Sequence, residues 1–265
     1  MPNARLTVSD QMGREMQVLP QPKRIVSLVP SQTELLYDLG LDAEVLGITK
    51  FCIHPENWFR TKTRIGGTKD VNIELVKSLE PDLIIANKEE NTKEQIEALS
   101  AFAPVWVSDI VNYSEAFTMI RSVAQITGRV AHGQQLLAKI EKAFQQMPSH
   151  PLHPTAAYLI WKDPYMTIGS DTFIHNILSL AGFQNCFGNS LRYPEITVAD
   201  LQEKAPEYLF LSSEPYPFKM KHIKALQADL PQTKIHLVNG EMFSWYGSRM
   251  QFTPRYIGEL LQSIV

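Results

Sequence analysis

The chain has 265 residues, 44% of them hydrophobic, enough for two domains of ordinary size or one large one, each with its own core. A formal net charge of −3 excludes the strongly basic face of a nucleic-acid binder, and no apolar run is long enough to span a bilayer. Two cysteines, Cys52 and Cys186, make no disulfide framework.

The first residues, "MPNARLTVSDQMGREMQV", lack the apolar run of a signal peptide. The expectation is a cytoplasmic protein, or an export signal upstream of Met1. From Arg5 the alternation of polar and apolar residues around Gln11–Gly13 predicts a short hairpin. "RIVSLV" (24–29) is an apolar, β-branched strand that stops at Pro30. Ser31 is expected to cap the helix "QTELLYDLG", which Gly40 closes. "AEVLGIT" reads as a second strand and "FCIHPENW" (51–58) as the loop after it. A helix capped by Asn72, the strand "LIIA", the helix "TKEQIEALSAFA" and the strand "VWVS" follow. This alternation predicts a parallel sheet with helices on both faces.

From Ser114 to about Gln146 the apolar residues Phe117, Ile120, Val123, Ile126, Leu136, Leu137, Ile140 and Phe144 keep helical spacing. The spacing predicts one long helix, or two helices broken near Gly128. After the proline-rich "MPSHPLHP", the alternation resumes. Strands are expected at "TAAYLIW", "EYLFLS" and "IHLVN", and helices at "TFIHNILSLAG", "DLQEKA", "FKMKHIKALQA" and "PRYIGELLQSI".

Residues 71–90 and 196–215 share one plan: polar cap, amphipathic helix, proline, acid, apolar strand, polar end. Pro81 and Pro206 stand 125 positions apart (206 − 81), and Glu89 and Glu214 keep that offset. Two similar α/β lobes are implied, with a default ligand site in the cleft between them.

The candidate chemistry is sparse. Cys52 and His54 suggest a nucleophile and base, but no G-x-S-x-G, G-x-G-x-x-G or phosphate-binding loop accompanies them. Of seven histidines only His150 and His153 lie close together, in the linker, where solvent is expected to take them. A Cys52–His54 zinc site would need two more ligands, whereas His54 alone could be an axial ligand to the metal of a bound chelate. Trp58, Trp161, Tyr193, Phe243, Trp245 and Tyr246 fall where strands give way to loops, as a large flat ligand requires. Within "FSWYGSR" (243–249), adjacent Trp245 and Tyr246 cannot point the same way in extended chain, so one is expected to be exposed. Arg249 could meet a ligand carboxylate or phosphate, or form a surface ion pair.

"RIVSLVPSQTELLYDLGL", "GGTKDVNIELVKSLEPDLIIA" and "FSWYGSR" together resemble the class III substrate-binding proteins of ABC importers, which bind vitamin B12, ferric siderophores or haem. The resemblance covers the chain from about Val8 to its end. It implies two α/β lobes bridged by one long helix: an N-terminal lobe (1–113), the helix (114–147) and a C-terminal lobe (148–265). It also implies a ligand cleft between the lobes and little movement on binding. His54 before Pro55 matches the pocket tyrosine of the B12-binding members, Trp161 their strand-end aromatic, and Tyr193 their tryptophan before a proline. Glu241 and Arg249 match their pocket aspartate and arginine, with Arg255 competing for the second role. Thr68 or Lys69 replaces their pocket tryptophan. Docking on an ABC permease is implied for Glu74, with Ala199 at the matching position of the other lobe and Asp200 beside it.

The resulting expectation is a monomeric binding protein rather than an enzyme, without intrinsic cofactor. It would carry a corrinoid, ferric siderophore or haem, and the family places it outside the inner membrane, periplasmic or membrane-anchored. The alternatives are a receptor for a bare transition-metal ion, a cytoplasmic relative holding a corrinoid or haem, and a cleft enzyme dependent on Cys52.

Overall fold

The computed structural model describes residues 5–264, in two compact units. Unit 1 runs to Ile110 and includes Ser114–Glu141 and Tyr246–Arg249. Unit 2 takes Val111–Tyr113, Lys142–Trp245 and the chain from Met250. Most of the segment 114–147 groups with unit 1, and so does a short return of the chain near its end.

Unit 1 opens with the predicted hairpin, β1 (Leu6–Ser9) and β2 (Glu15–Val18), antiparallel with Leu6 opposite Val18. Asp10 closes its turn, accepting the backbone N–H of Met12 at 3.0 Å and of Arg14 at 2.9 Å while its other oxygen holds the Arg14 guanidinium. Then come β3 (Ile25–Ser27), α1 (Pro30–Asp38), β4 (Val45–Ile48), α2 (Glu56–Thr61), β5 (Thr63–Arg64), α3 (Ile73–Ser78), β6 (Leu83–Asn87), α4 (Lys93–Ser100) and β7 (Val105–Ser108). Five of these strands form one parallel sheet in the order β5-β4-β3-β6-β7. Every residue of β3, β6 and β7 is buried, which is why these strands read as continuous apolar runs rather than alternations. The Asn72 side chain caps α3 as expected, and Thr92 caps α4 in the same way. Ser31 does not cap α1. Pro30 occupies the first turn, where its missing N–H costs nothing, and Val29 is the N-cap without a side-chain bond.

The long helix is two: α5 (Tyr113–Ile126) and α6 (Val130–Gln145). Gly128 sits at φ +69°. Its N–H bonds the Gln125 carbonyl at 3.2 Å, and the Arg129 N–H bonds the Ala124 carbonyl at 2.7 Å. This 5→2 and 6→1 pair is the Schellman stop, which needs a left-handed residue that glycine supplies without steric cost. Gly133 on α6 then comes so close to α5 that a Cβ there would lie 2.5 Å from the Ala124 Cβ.

Unit 2 contains β8 (Thr155–Leu159), β9 (Tyr165–Met166), α7 (Phe173–Leu180), β10 (Gln184–Asn185), β11 (Glu195–Ile196), α8 (Val198–Lys204), β12 (Tyr208–Ser212), α9 (Met220–Asp229), β13 (Lys234–Val238), α10 (Glu241–Ser244) and α11 (Thr253–Ile264). A four-stranded parallel sheet runs β10-β8-β12-β13, and β9 pairs with β11 antiparallel. The core includes Ala157, Leu159, Leu209 and Leu211 beneath Leu201 and Leu226. His150 is not solvated as expected: it is 4% exposed, with its ring 5.5 Å from Phe183 and 5.8 Å from Tyr208.

The repeat is carried into the backbone. Asn72 and Thr197, 125 apart (197 − 72), cap equivalent helices, each accepting the N–H three residues on. Glu80 (φ +46°) and Ala205 (φ +41°) end those helices in the left-handed region, just before the paired prolines. Strands β6 and β12 then begin and end at the same offset.

Gly133→Ala forces the α5–α6 approach apart and is expected to destabilise the protein by about 1–3 kcal/mol. Ala205→Gly relieves a left-handed alanine and is expected to stabilise it by about 0.5–1 kcal/mol. Chemical denaturation of the two variants beside the wild type checks both signs.

Candidate functional site

In open parallel sheets ligands meet the loops at the carboxyl ends of the strands. In unit 1 these loops rest on a buried polar floor. Cys52 is wholly buried, with Sγ 3.1 Å from the hydroxyls of both Thr33 and Thr49. Burial pushes its thiol pKa up, against the hydrogen bonds of Thr33 and Thr49, the opposite direction to that of an activated nucleophile. The Asn87 amide donates to Ser108 Oγ at 2.9 Å, and the Gln32 amide donates to the same oxygen. Asn91 links two loops, accepting the Asn87 N–H at 2.9 Å and donating to the Thr68 carbonyl at 2.8 Å.

The rim above this floor is partly apolar. Phe51 is 51% exposed and Ile53 45% exposed, with half-buried His54 beside them on a cis bond to Pro55. Lys50 lies 5.3 Å from the Phe51 ring centre. Lys69 is exposed next to Glu90, whose carboxyl is pushed up by burial, drawn down by Lys69 and raised again by Glu89. Trp58 departs from expectation. The second half of "FCIHPENW" is helix α2, and it turns the indole fully inward, where it meets Tyr37 edge-on at 5.4 Å and donates to Asp42. Trp58 supports the rim and offers no face to a ligand.

Arg249 and Tyr246 also belong to unit 1. The Arg249 guanidinium meets Glu34 of α1 in a two-point pair, Nε to Oε2 at 2.9 Å and Nη2 to Oε1 at 2.6 Å. Both side chains are largely buried. Burial raises the Glu34 pKa, and the bond and charge of Arg249 oppose it. The pair fastens the returning segment Tyr246–Arg249 onto α1 and is no surface ion pair. Neither Trp245 nor Tyr246 is exposed: each is 7% accessible. Trp245 is the C-cap of α10, where the backbone turns from helical to extended, and the two residues fall in different units.

In unit 2, Trp161 is 40% exposed at the end of β8, held by a backbone bridge to Met166. Tyr193 is half-buried, with the Arg192 guanidinium 5.8 Å from its ring centre. Glu214, found through the repeat, accepts Ser244 Oγ at 2.7 Å and Trp245 Nε1 at 2.8 Å. Half-buried Glu241 starts α10 beside an open depression of about 520 Å³ lined by Ser213, Phe218, Leu237, Val238 and Asn239. The sequence reading missed Phe51, Ile53, Glu34 and Tyr216. Phe51, Ile53 and Tyr216 lie in loops whose geometry sets their orientation, and Glu34 of α1 is marked only by its distant partner Arg249.

Of the docking candidates, Glu74 is exposed in the first turn of α3. Asp200 closes a capping box instead: one carboxylate oxygen accepts both the N–H and the hydroxyl of Thr197 at 2.7 Å, which lowers its pKa. Ala199, at the position matching Glu74, is exposed. Among the described residues no three His, Cys, Asp or Glu side chains gather to hold a metal ion. Both cysteines are free.

An uncharacterized ABC transporter substrate-binding lipoprotein of Bacillus subtilis, YvrC, is 26% identical over 72% of this chain and 64% of its own length, so the chain matches somewhat less than two thirds of that relative. The vitamin B12-binding protein of Vibrio campbellii is 24% identical over 72% of this chain and 70% of its own. Among solved structures, the petrobactin-binding protein YclQ of Bacillus subtilis superposes with a TM-score of 0.83 at 17% identity, covering 97% of this chain and 99% of that one, a likeness of fold. The model of the periplasmic binding protein family matches residues 25–234, and the chain belongs to that family.

Proposed function

We propose that this protein is the substrate-binding component of an ABC importer and takes up a metal-chelate ligand: a corrinoid, a ferric siderophore or haem. The observation that carries the reading is the make-up of the strand-end loops. Exposed rings and an aliphatic group (Phe51, Trp161 and Ile53) stand beside the polar and charged Lys50, His54, Lys162 and Asp163, and the buried thiol lacks the activation an enzyme needs. The names of the relatives support the class: one is a substrate-binding lipoprotein, one binds vitamin B12, and a structural neighbour binds petrobactin. In this reading His54, Lys69 and Trp161 with Tyr193 contact the ligand, and His54 can reach its metal. Glu74 meets the permease, and the protein works as a monomer on the outer side of the inner membrane. Asp200 stays the candidate second docking acid, with one carboxylate oxygen held in its own helix cap and the other left to meet the permease.

Trp161 is the one exposed tryptophan of four, so it should report binding. Titration with cyanocobalamin, haemin and a ferric hydroxamate is expected to quench its fluorescence at micromolar concentration or below for one of them. Trp161→Phe should remove most of the quench; no binding by any of the three sinks the reading. Axial ligation by His54 predicts a visible-band shift of the bound chelate in His54→Ala. Thiol labelling of Cys52 in the native state is expected to be far slower than in the unfolded chain, and fast labelling would restore the enzyme alternative.

A further inference from the structure

Unit 2 carries a second aromatic beside Trp161. Tyr216 follows the turn after β12, half-buried, with its ring 5.8 Å from that of Trp161 in an edge-on approach and 4.8 Å from that of Phe218. Its hydroxyl oxygen stands 3.4 Å from Nε2 of His222. His222 is the third residue of α9 and 7% exposed. Its Nδ1 accepts the backbone N–H of Lys219 at 2.9 Å.

That bond fixes the proton inventory. A backbone N–H can only donate, so Nδ1 carries the lone pair and the hydrogen of the neutral ring is on Nε2. Nε2–H therefore donates to the Tyr216 oxygen. A second ring proton would set Nδ1–H against the Lys219 N–H. Burial first, and then the charges of Lys221, Lys162 and Lys219, lower the His222 pKa and keep the ring neutral; Asp163 opposes them weakly. With its oxygen engaged as an acceptor, the Tyr216 hydroxyl has its own hydrogen left to give, and among the described residues His222 is its one hydrogen-bond partner.

We propose that Tyr216 is a ligand-binding residue that donates its hydroxyl hydrogen to an acceptor oxygen on the rim of a planar ligand lying against Trp161, with His222 as the positioning residue. The inference rests on the metal-chelate reading above and deepens it. The rim group it selects is a neutral amide carbonyl, a hydroxamate oxygen or a carboxylate oxygen. A ligand whose rim is hydrocarbon at that point leaves the hydroxyl unsatisfied and binds less well.

The test uses the full chain and calorimetric titration with cyanocobalamin, haemin and ferrioxamine B. Tyr216→Phe keeps the ring and its packing; it is expected to weaken the probe that the wild type binds by about fivefold, with the melting temperature unchanged. His222→Asn retains an acceptor for the Lys219 N–H and removes the donor to Tyr216; a smaller loss, about two- to threefold, is expected. Nitrogen-15 NMR of the ligand-free protein is expected to show His222 as the neutral Nε2–H tautomer. Wild-type affinity in Tyr216→Phe overturns the proposal and leaves the binding-protein reading standing. A protonated or Nδ1–H ring at neutral pH, or wild-type affinity in His222→Asn, overturns the role of His222. Failure of the wild type to bind any probe takes down both the reading and the inference.

Discussion

Burial of parallel strands on both faces is the constraint from which the site follows. All residues of β6, β7 and β12 are buried, so their side chains have to be apolar along the length of the strand. Polar chemistry is admitted only where the ladder ends. Asn87, Ser108 and Ser212 are the last residues of those strands, and each starts a hydrogen-bonded cluster. In unit 1 the cluster gathers Gln32 and Asn91; in unit 2 it gathers Tyr158 and Glu214. The loops above these clusters are anchored by buried polar bonds, which leaves their exposed rings to be positioned by packing rather than by their own sequence.

The two halves of the repeat share this frame and use it differently. Both helices begin at a side-chain cap, end in a left-handed residue and pass through proline into a buried strand. At the position after the cap's neighbour, unit 1 has exposed Glu74 and unit 2 has Ala199. The acid next to Ala199 bonds back to Thr197 and stabilises its own helix. Likewise Glu214, the counterpart of Glu89, is drawn into bonds with Ser244 and Trp245. The pattern of caps, prolines and strands is a requirement of folding, so both halves keep it; the exposed acids are not, and there the halves diverge.

The same distinction governs what was legible in the sequence. The cap at Asn72, the parallel strands, the terminal helix and the repeat all follow from local rules of propensity and period. The break at Gly128 was also written there, as a glycine within a helical pattern, but only the bonds from Gly128 and Arg129 back to α5 distinguish a stop from a tolerated glycine. Elements of two to six residues, β5, β9, β10, β11, α2 and α10, are too short for a period to register. Trp58 was misplaced because α2 starts inside what reads as loop, and the helix turns the indole toward Tyr37 and Asp42. Trp245 and Tyr246 follow directly on the helical turn of α10, and both are buried, so simple alternation does not decide their exposure. Tyr216 escaped notice because its value lies in the direction of one hydrogen, set by a histidine six residues on.

Arg249 shows how far a matched motif can differ in use. An arginine at this place looks available to a ligand carboxylate, yet Glu34 already meets it at two points in a largely buried setting. Leaving either charge buried without its partner costs about 3–5 kcal/mol, so a ligand that displaced Glu34 would have to supply an equally good two-point contact and solvate the displaced carboxylate. A shared contact would add a second anion beside Glu34, whose pKa burial already raises, and would be opposed by that charge. The arginine is better understood as the fastening of Tyr246–Arg249 to α1. Under the proposed function, recognition in unit 2 would fall to the Trp161 ring and the Tyr216 hydroxyl, a stacking surface and a neutral donor that suit a broad chelate with a hydrogen-bonding rim better than a compact anion.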